Sequence, residues 1–273
     1  MEKYSVLMSV YCKEQAPYLQ ASIESVMAQT VQTDDFVLVC DGPLTEELDG
    51  VIGAAVEKYG DVMHVVRLAQ NQGLKNALNQ GLPQCKNDLV ARMDSDDICH
   101  KDRCRMQLEC FEENPELGIV SGTVEEFEGD ISCIVSTKSL PASHEEILRY
   151  SKTRSPFNHP TVMYRKSLVL KAGGYPGPIL YEDYALWVNM LAAGVKGYNI
   201  PQTLVYMRVD GGLYGRRGGW SYFKKAVAFR WGLYSKKHYC TLWESLYSVC
   251  AAAAVSLVPT VMRKWIYRIM LRK

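Results

Sequence analysis

Residues Leu89 to His100 read LVARMDSDDICH, an apolar run, Leu89-Val90-Ala91, followed by carboxylates at Asp94, Asp96 and Asp97. A short run of this kind reads as a buried strand of a parallel sheet ending at a loop. The acids then stand at a strand's carboxyl end, the edge where open α/β sheets bind ligands. Carboxylates two apart at a chain reversal can converge on a hard divalent cation through oxygen ligands. The same residues also suit a solvated acidic turn in which Asp97 caps a following helix. Taken alone, the triplet supports both a metal-nucleotide site and an acidic turn.

The residues upstream repeat one pattern. Ser5 to Val10 is an apolar run, and Pro17 to Gln29 follows with Leu19, Ile23, Val26 and Met27 at helical spacing. Asp35 to Cys40 forms a second strand that stops at Asp41-Gly42-Pro43, and Thr45 to Tyr59 makes a helix with Thr45 placed to cap it. Val62 to Leu68 is a third strand, Asn71-Gln72-Gly73 a turn, and Leu74 to Gly81 a short helix before the strand that reaches the acids. Strands alternating with helices predict a doubly wound, mostly parallel α/β sheet. On one edge of such a sheet Asp41, Asn71 and Asp94 to Asp97 face a common crevice. No Gly-x-Gly-x-x-Gly follows the first strand and no Walker-type loop occurs, which disfavours dinucleotide and P-loop sites.

Downstream, a helix is expected over Lys101 to Glu113, then short strands over Gly118 to Phe127, Ile131 to Ser136 and Phe157 to Tyr164, a mixed second half. A loop at Gly173 to Gly177 precedes Tyr181-Glu182-Asp183, which opens a helix with Leu186, Trp187, Met190 and Leu191 as its buried stripe. Acids in a first turn have an ordinary explanation in the helix dipole, at ~0.3–1 kcal/mol each.

Taken in order, Ser9-Val10-Tyr11, Asp41-Gly42, Asn71-x-Gly73, the ARMDSDD run from Ala91 to Asp97, Asn158-His159-Pro160 and Glu182-Asp183-Tyr184-x-Leu186-Trp187 resemble the family 2 glycosyltransferases with the GT-A fold. The likeness is to the branch that builds bacterial exopolysaccharide, capsule and O-antigen, and it spans roughly residues 3 to 210. It implies an inverting transferase moving a sugar from a nucleoside-diphosphate sugar, expected to be a UDP-sugar, to a hydroxyl of a saccharide or polyprenyl-pyrophosphate-linked acceptor. It also implies that Asp41 contacts the base or ribose with Tyr11, Asn71, Gly73 and Arg92 nearby, and that Asp94 closes the nucleoside pocket. Asp96, with Asp94, is implied to hold Mg2+ or Mn2+ against the diphosphate, which neutralises the charge of the departing nucleotide. Asp183 is implied as the general base on the acceptor hydroxyl, supported by Glu182. Inversion proceeds by a single displacement, so no covalent nucleophile is needed. His159 either approaches the acceptor or satisfies a core loop, and Arg208, Arg216 and Arg217 either fold over the diphosphate or stand in solvent. The Gln-x-x-Arg-Trp motif of processive synthases is missing, which points to addition of one sugar.

Two other functions compete. A sugar-phosphate nucleotidyltransferase of the same shape needs a glycine-rich, arginine-bearing loop after the first strand, where this chain has Tyr11-Cys12-Lys13-Glu14-Gln15. A degenerate, non-catalytic partner subunit would not need Asp96 and Asp183.

The 273 residues suffice for one large or two small domains. The expected division is a catalytic region over 1–212, with a donor half over 1–115 and an acceptor half over 116–212, and a basic helical extension over 213–273. The net charge of +1 hides an imbalance: twelve Lys or Arg from Leu213 onward face the single acid Glu244. Such a tail suits an anionic membrane surface, and the acidic body argues against nucleic acid. Leu246 to Met262 falls short of a bilayer span of roughly 20 strongly apolar residues. Beyond it, Trp265, Ile266, Ile269 and Met270 share one helical face and Lys264, Arg268 and Arg272 another, the pattern of an interfacial helix. The competing expectation is a helix packed on the catalytic region. Nine cysteines without a Cys-x-x-Cys pair suggest reduced thiols, and Cys99, His100, Cys104 and Cys110 match no common zinc spacing. The amino terminus MEKYSVLMSVY shows no signal peptide. A cytoplasmic protein, peripheral on the cytoplasmic face of the inner membrane, is therefore expected.

Overall fold

The computed structural model describes residues 1–176, 181–209 and 219–258. Four parallel strands form its first half: β1 (Tyr4–Val10), β2 (Asp35–Cys40), β3 (Met63–Arg67) and β4 (Leu89–Asp94). Between them run α1 (Ala16–Met27), α2 (Glu46–Tyr59) and α3 (Leu74–Gly81). Every residue of β2 is buried, as a strand covered on both faces requires. Leu19 and Ile23 of α1 and Leu48 and Ile52 of α2 pack with Val6 and Met8 on one face of the sheet. Ala77 and Leu78 of α3 pack with Leu7, Val37 and Val39 on the other. Pro17 sits in the first turn of α1, where its missing N–H leaves no orphan, and the Thr45 hydroxyl accepts from Leu48 N to cap α2.

The second half is mixed. After the short β5 (Ile98–Cys99) and α4 (Arg103–Glu113) come β6 (Leu117–Phe127), β7 (Ile134–Lys138), α5 (His144–Tyr150), β8 (Met163–Arg165), α6 (Lys166–Lys171), α7 (Glu182–Ala192) and β9 (Lys196–Arg208). The sheet order is β3-β2-β1-β4-β8-β6-β9-β5, with β7 paired to β6. β8 runs antiparallel to both β4 and β6, whereas β6 and β9 are parallel. Asp97 caps no helix; its carboxylate accepts instead from the Arg208 amide at 2.9 Å, and α4 starts only at Arg103. The strand expected over Phe157 to Tyr164 is shortened to Met163–Arg165. Pro160 lies in a 3-10 turn, and the Asn158 side chain donates to Gly122 O and Lys138 O, occupying carbonyls that a longer strand would leave to backbone donors. The strand expected at Ile131 is displaced to Ile134–Lys138, because Asp130 and Ser132 form a side-chain-bonded turn first.

Two further helices, α8 (Trp220–Ser235) and α9 (Leu242–Ser256), form a hairpin packed on the mixed second half. Thr241 and Glu244 make a reciprocal capping box at the start of α9. Leu233 and Cys240 pack with Tyr184 and Val188 of α7. The Tyr239 hydroxyl lies 2.6 Å from Ser151 Oγ, and Arg230 Nη1 donates to Thr153 O at 2.8 Å. No helix among the described residues is long and apolar enough to cross a membrane. The expected interfacial helix around Trp265, together with Arg216 and Arg217, lies outside the described residues.

Candidate active site

The carboxyl ends of β1, β2 and β4 converge on a cavity of about 510 Å³. Tyr11, Asp41, Asn71, Gly73, Asp94 and Asp96 all line it. Its loops are fixed by backbone chemistry. Gly42 has φ +89°, and a Cβ there would come within 2.5 Å of the Asn71 amide nitrogen, so only glycine fits beside that turn. The Asp41 carboxylate accepts from the amides of Gln72 at 2.7 Å and Gly73 at 2.9 Å, and Asn71 Nδ2 donates to Asp41 O. One acid therefore holds the turn that faces it, with its own side chain almost wholly buried.

Arg92 does not line the cavity. It is 1% exposed, and its guanidinium grips both oxygens of Asp94 in a bidentate pair. Such a fork fixes the direction of the carboxylate as well as adding attraction. Arg103 locks the strand from below by donating to Arg92 O at 2.7 Å.

Asp96 is the most perturbed acid of the cavity wall. Burial first, and then the neighbouring carboxylates of Asp94 and Glu14, push its pKa up to about 7. Burial likewise pushes Asp97 well above the ordinary range, with Asp94 and Asp96 adding to it. The site thus concentrates negative charge where burial already disfavours it. A hard divalent cation fits this donor set, because it relieves the crowding that raises Asp96. Among the described residues no group of three His, Cys, Asp or Glu side chains converges as a complete cage. The remaining oxygens would have to come from water and phosphate, which is how Mg2+ commonly binds beside nucleotides.

The residues absent from sequence reasoning come from the stretch after β1. Glu14 Oε2 accepts from Ser95 Oγ at 2.7 Å, which ties that loop to the acidic triplet. Lys13, Gln15 and Tyr18 also line the cavity. The guanidinium of Arg208 lies 3.9 Å from the Tyr18 ring centroid and 4.6 Å from that of Phe127, and its Nε donates to Asp96 O at 3.2 Å. Of the arginines expected near the diphosphate, Arg208 is thus at the cavity wall.

Asp183 lines a different cavity, of about 390 Å³, between the second half of the sheet region and the α8–α9 hairpin. Glu182 and Asp183 stand in the first turn of α7. Burial, and then Asp183 beside it, raise the Glu182 carboxyl. His159 Nε2 lies 3.2 Å from the Tyr175 hydroxyl, and its ring stands edge-on to Trp187 with centroids 6.0 Å apart. Half-buried, His159 lines the same cavity as Asp183, and burial, with the Arg92 charge after it, holds it well below its usual pKa, which makes it a weak base.

Residues 5–172 match the family model described as "Glycosyl transferase family 2". An uncharacterized glycosyltransferase of Haemophilus influenzae is 40% identical over 99% of this chain and 100% of its own length. The Escherichia coli UDP-Gal:alpha-D-GlcNAc-diphosphoundecaprenol beta-1,3-galactosyltransferase is 39% identical over 99% of this chain and 97% of its own. Among solved structures, residues 1-349 of S. aureus TarS in complex with UDP-GlcNAc superpose with a TM-score of 0.69 at 16% identity, over 98% of this chain and 76% of that one. The chain covers 46% of the longer TarS structure.

Proposed function

The chain belongs to glycosyltransferase family 2 and has the GT-A fold, and from that premise we propose that it moves a sugar from a UDP-sugar to a hydroxyl of a lipid-linked saccharide in bacterial surface-polysaccharide synthesis, inverting the anomeric centre. The observation that carries the proposal is the cavity in which Asp41, Asn71, Asp94 and Asp96 meet at the strand ends. The choice of UDP and of an acceptor linked through diphosphate to a polyprenol follows the printed activity of the E. coli relative, to which this chain is similar along its whole length.

In this reading the Tyr11, Asp41 and Asn71 side of the cavity takes the nucleoside. Arg92 acts beneath the surface, aiming the Asp94 carboxylate. Asp96, with Asp94, would hold a Mg2+ or Mn2+ ion, which when bound supplies positive charge to the diphosphate leaving group. Arg208, already at the wall, adds a second cation there. Asp183 accepts the proton of the acceptor hydroxyl as that oxygen attacks the anomeric carbon and the bond to the diphosphate breaks. Glu182, raised by burial and by Asp183, shares the first turn of α7 and supports the base.

A thermal-shift panel of nucleotides and nucleotide-sugars with Mn2+ tests the donor assignment. A ligand that binds only the native state raises apparent stability, by about 2.7 kcal/mol at a hundredfold excess over Kd. UDP and one UDP-sugar should shift the melting point and GDP should not; a shift by GDP-sugars alone refutes the UDP assignment.

Peripheral membrane association belongs to the same proposal. On α9, Trp243 is 80% and Tyr247 59% exposed, and Leu246 lies on the same helical face. Lys224, Lys225, Lys236 and Lys237 add positive charge to the hairpin. The full chain should sediment with anionic vesicles at low salt and be released as salt screens the attraction. Equal sedimentation with neutral vesicles would remove the electrostatic part of this account.

A further inference from the structure

The two cavities are built on different elements, yet one buried residue touches the framework of both. α3 starts at Leu74, directly after the Asn71-Gln72-Gly73 turn, and Leu74 itself lines the first cavity. Asn79 lies further along α3, roughly 8 Å from Leu74 at a helical rise of ~1.5 Å per residue. Its side chain holds the backbone of Tyr175 twice over: Nδ2 donates to Tyr175 O at 3.0 Å, and Oδ1 accepts from Tyr175 N at 2.8 Å. Gly174 permits this approach, since it has φ +70° and a Cβ there would fall 2.6 Å from Asn79 Oδ1. An amide that both donates to and accepts from one residue fixes its position and its orientation together.

The Tyr175 ring faces the other framework. It is 2% exposed, and its hydroxyl lies 3.2 Å from His159 Nε2 and 3.3 Å from the Tyr164 hydroxyl. The ring stands edge-on to Trp187 of α7, with centroids 6.4 Å apart. Trp187 comes one helical turn after Asp183, so the two share a face of α7. Leu78 of α3, Tyr175 and Trp187 belong to one buried cluster. Burial pushes the Tyr175 phenol above its ordinary pKa; Arg92 opposes the rise, and Asp183 and Asp94 add to it, so the hydroxyl is within electrostatic reach of an acid of each cavity. Neither Asn79 nor Tyr175 lines either cavity, so neither touches a ligand seated there.

We propose that the Asn79-Tyr175 clamp positions the catalytic base: it ties α7, which carries Asp183, to α3, which continues the donor-site turn, and so sets Asp183 in register with the sugar held in the donor cavity. The inference rests on the transferase reading above and deepens it. Asn79 and Tyr175 are positioning residues that act through Asp183. Alignment is a large quantity in such a reaction, since a misplacement of about 1 Å between reacting groups can cost about 100-fold in rate.

The test uses the full chain, UDP-galactose with Mn2+, and N-acetylglucosamine joined through diphosphate to a short alkyl chain as acceptor. Asn79→Ala removes both bonds to Tyr175; Asn79→Asp keeps the shape and the acceptor but loses the donor to Tyr175 O. Turnover is counted per UDP site titrated by calorimetry, so that a loss of folded protein does not register as a loss of rate. Where chemistry limits turnover, kcat should fall about tenfold in Asn79→Ala and roughly threefold in Asn79→Asp, with UDP affinity within about twofold of wild type. In the Asp183→Asn background Asn79→Ala should lower kcat by less than about twofold, because a residue that acts through another has little left to lose once that group is gone. A clamp that only holds the fold together would cost the same factor in both backgrounds. That result, or an unchanged kcat in Asn79→Ala, overturns the positioning role and leaves the transferase reading standing. Should Asn79→Ala fail to fold, Asn79→Asp carries the same comparison between backgrounds. Transfer by Asp183→Asn at the wild-type rate overturns the base assignment, and the positioning role with it.

Discussion

Replacing Asp183 with asparagine should lower sugar transfer by about 100-fold or more while UDP affinity stays near wild type. The side chains are nearly the same shape, so the substitution removes little besides the ability to accept a proton. Asp183 lines the second cavity and has no place in the wall of the first, so donor binding has no direct reason to change. A parallel fall in UDP affinity would assign Asp183 to structure instead. Transfer at the wild-type rate, measured where chemistry limits turnover, would move the base elsewhere. His159 is then a poor substitute, because burial and Arg92 destabilise the imidazolium it would form, and its Nε2 is already engaged with Tyr175.

Asp96→Ala should give the opposite pattern. Calorimetric titration of UDP should lose its dependence on Mn2+, with affinity in the presence of metal falling at least about tenfold, a loss of ~1.4 kcal/mol or more. The fold should survive this change, since Asp96 lines the cavity. The folded-state pKa of Asp96, about 7, stands above its ordinary 3.8, so the native chain binds that proton more tightly than the unfolded chain does. In the ligand-free protein this contribution is present below the unfolded value and is lost as pH rises through about 7. Removing the carboxylate should therefore leave the melting temperature at pH 8 equal to wild type or higher. The same proton competes with the cation, so metal-dependent UDP affinity in wild type should climb as pH rises toward about 7 and flatten above it. Unchanged metal-dependent affinity in Asp96→Ala would remove Asp96 from the metal site.

The parallel half of the sheet was legible because strand, turn and helix signals agree there. β1 to β4 and α1 to α3 fall within a few residues of their expected places, and Asp41, Asn71, Asp94 and Asp96 meet as the strand-end rule requires. The second half was less readable for physical reasons. β9 carries Pro201 inside it, tolerated only because the pairing with β6 skips from Ile200 to Thr203 at an irregularity. A proline in a run normally demotes it as a strand, so periodicity alone misses the element. Arg92 reads as a cavity residue by its neighbours, yet it sits on a strand buried on both faces, on the same side as Asp94 but one pair further from the strand end, where the Asp94 pairing makes a buried guanidinium tolerable. Glu14 had no local signal, since its role depends on Ser95, far along the chain, coming within hydrogen-bonding distance. The placement of Asp183 and the hairpin around a second cavity depends on tertiary contacts among Tyr184, Leu233 and Cys240, which no spacing in the sequence encodes.

The central claim, a single displacement with the donor in the Asp96 cavity and the base at Asp183, is tested most directly by the stereochemistry of the bond formed. Transfer from an α-linked UDP-sugar to the diphosphate-linked acceptor should be followed by proton NMR of the new anomeric centre before any secondary reaction. A β-linked product is the predicted result, and an α-linked product, requiring retention, would contradict it.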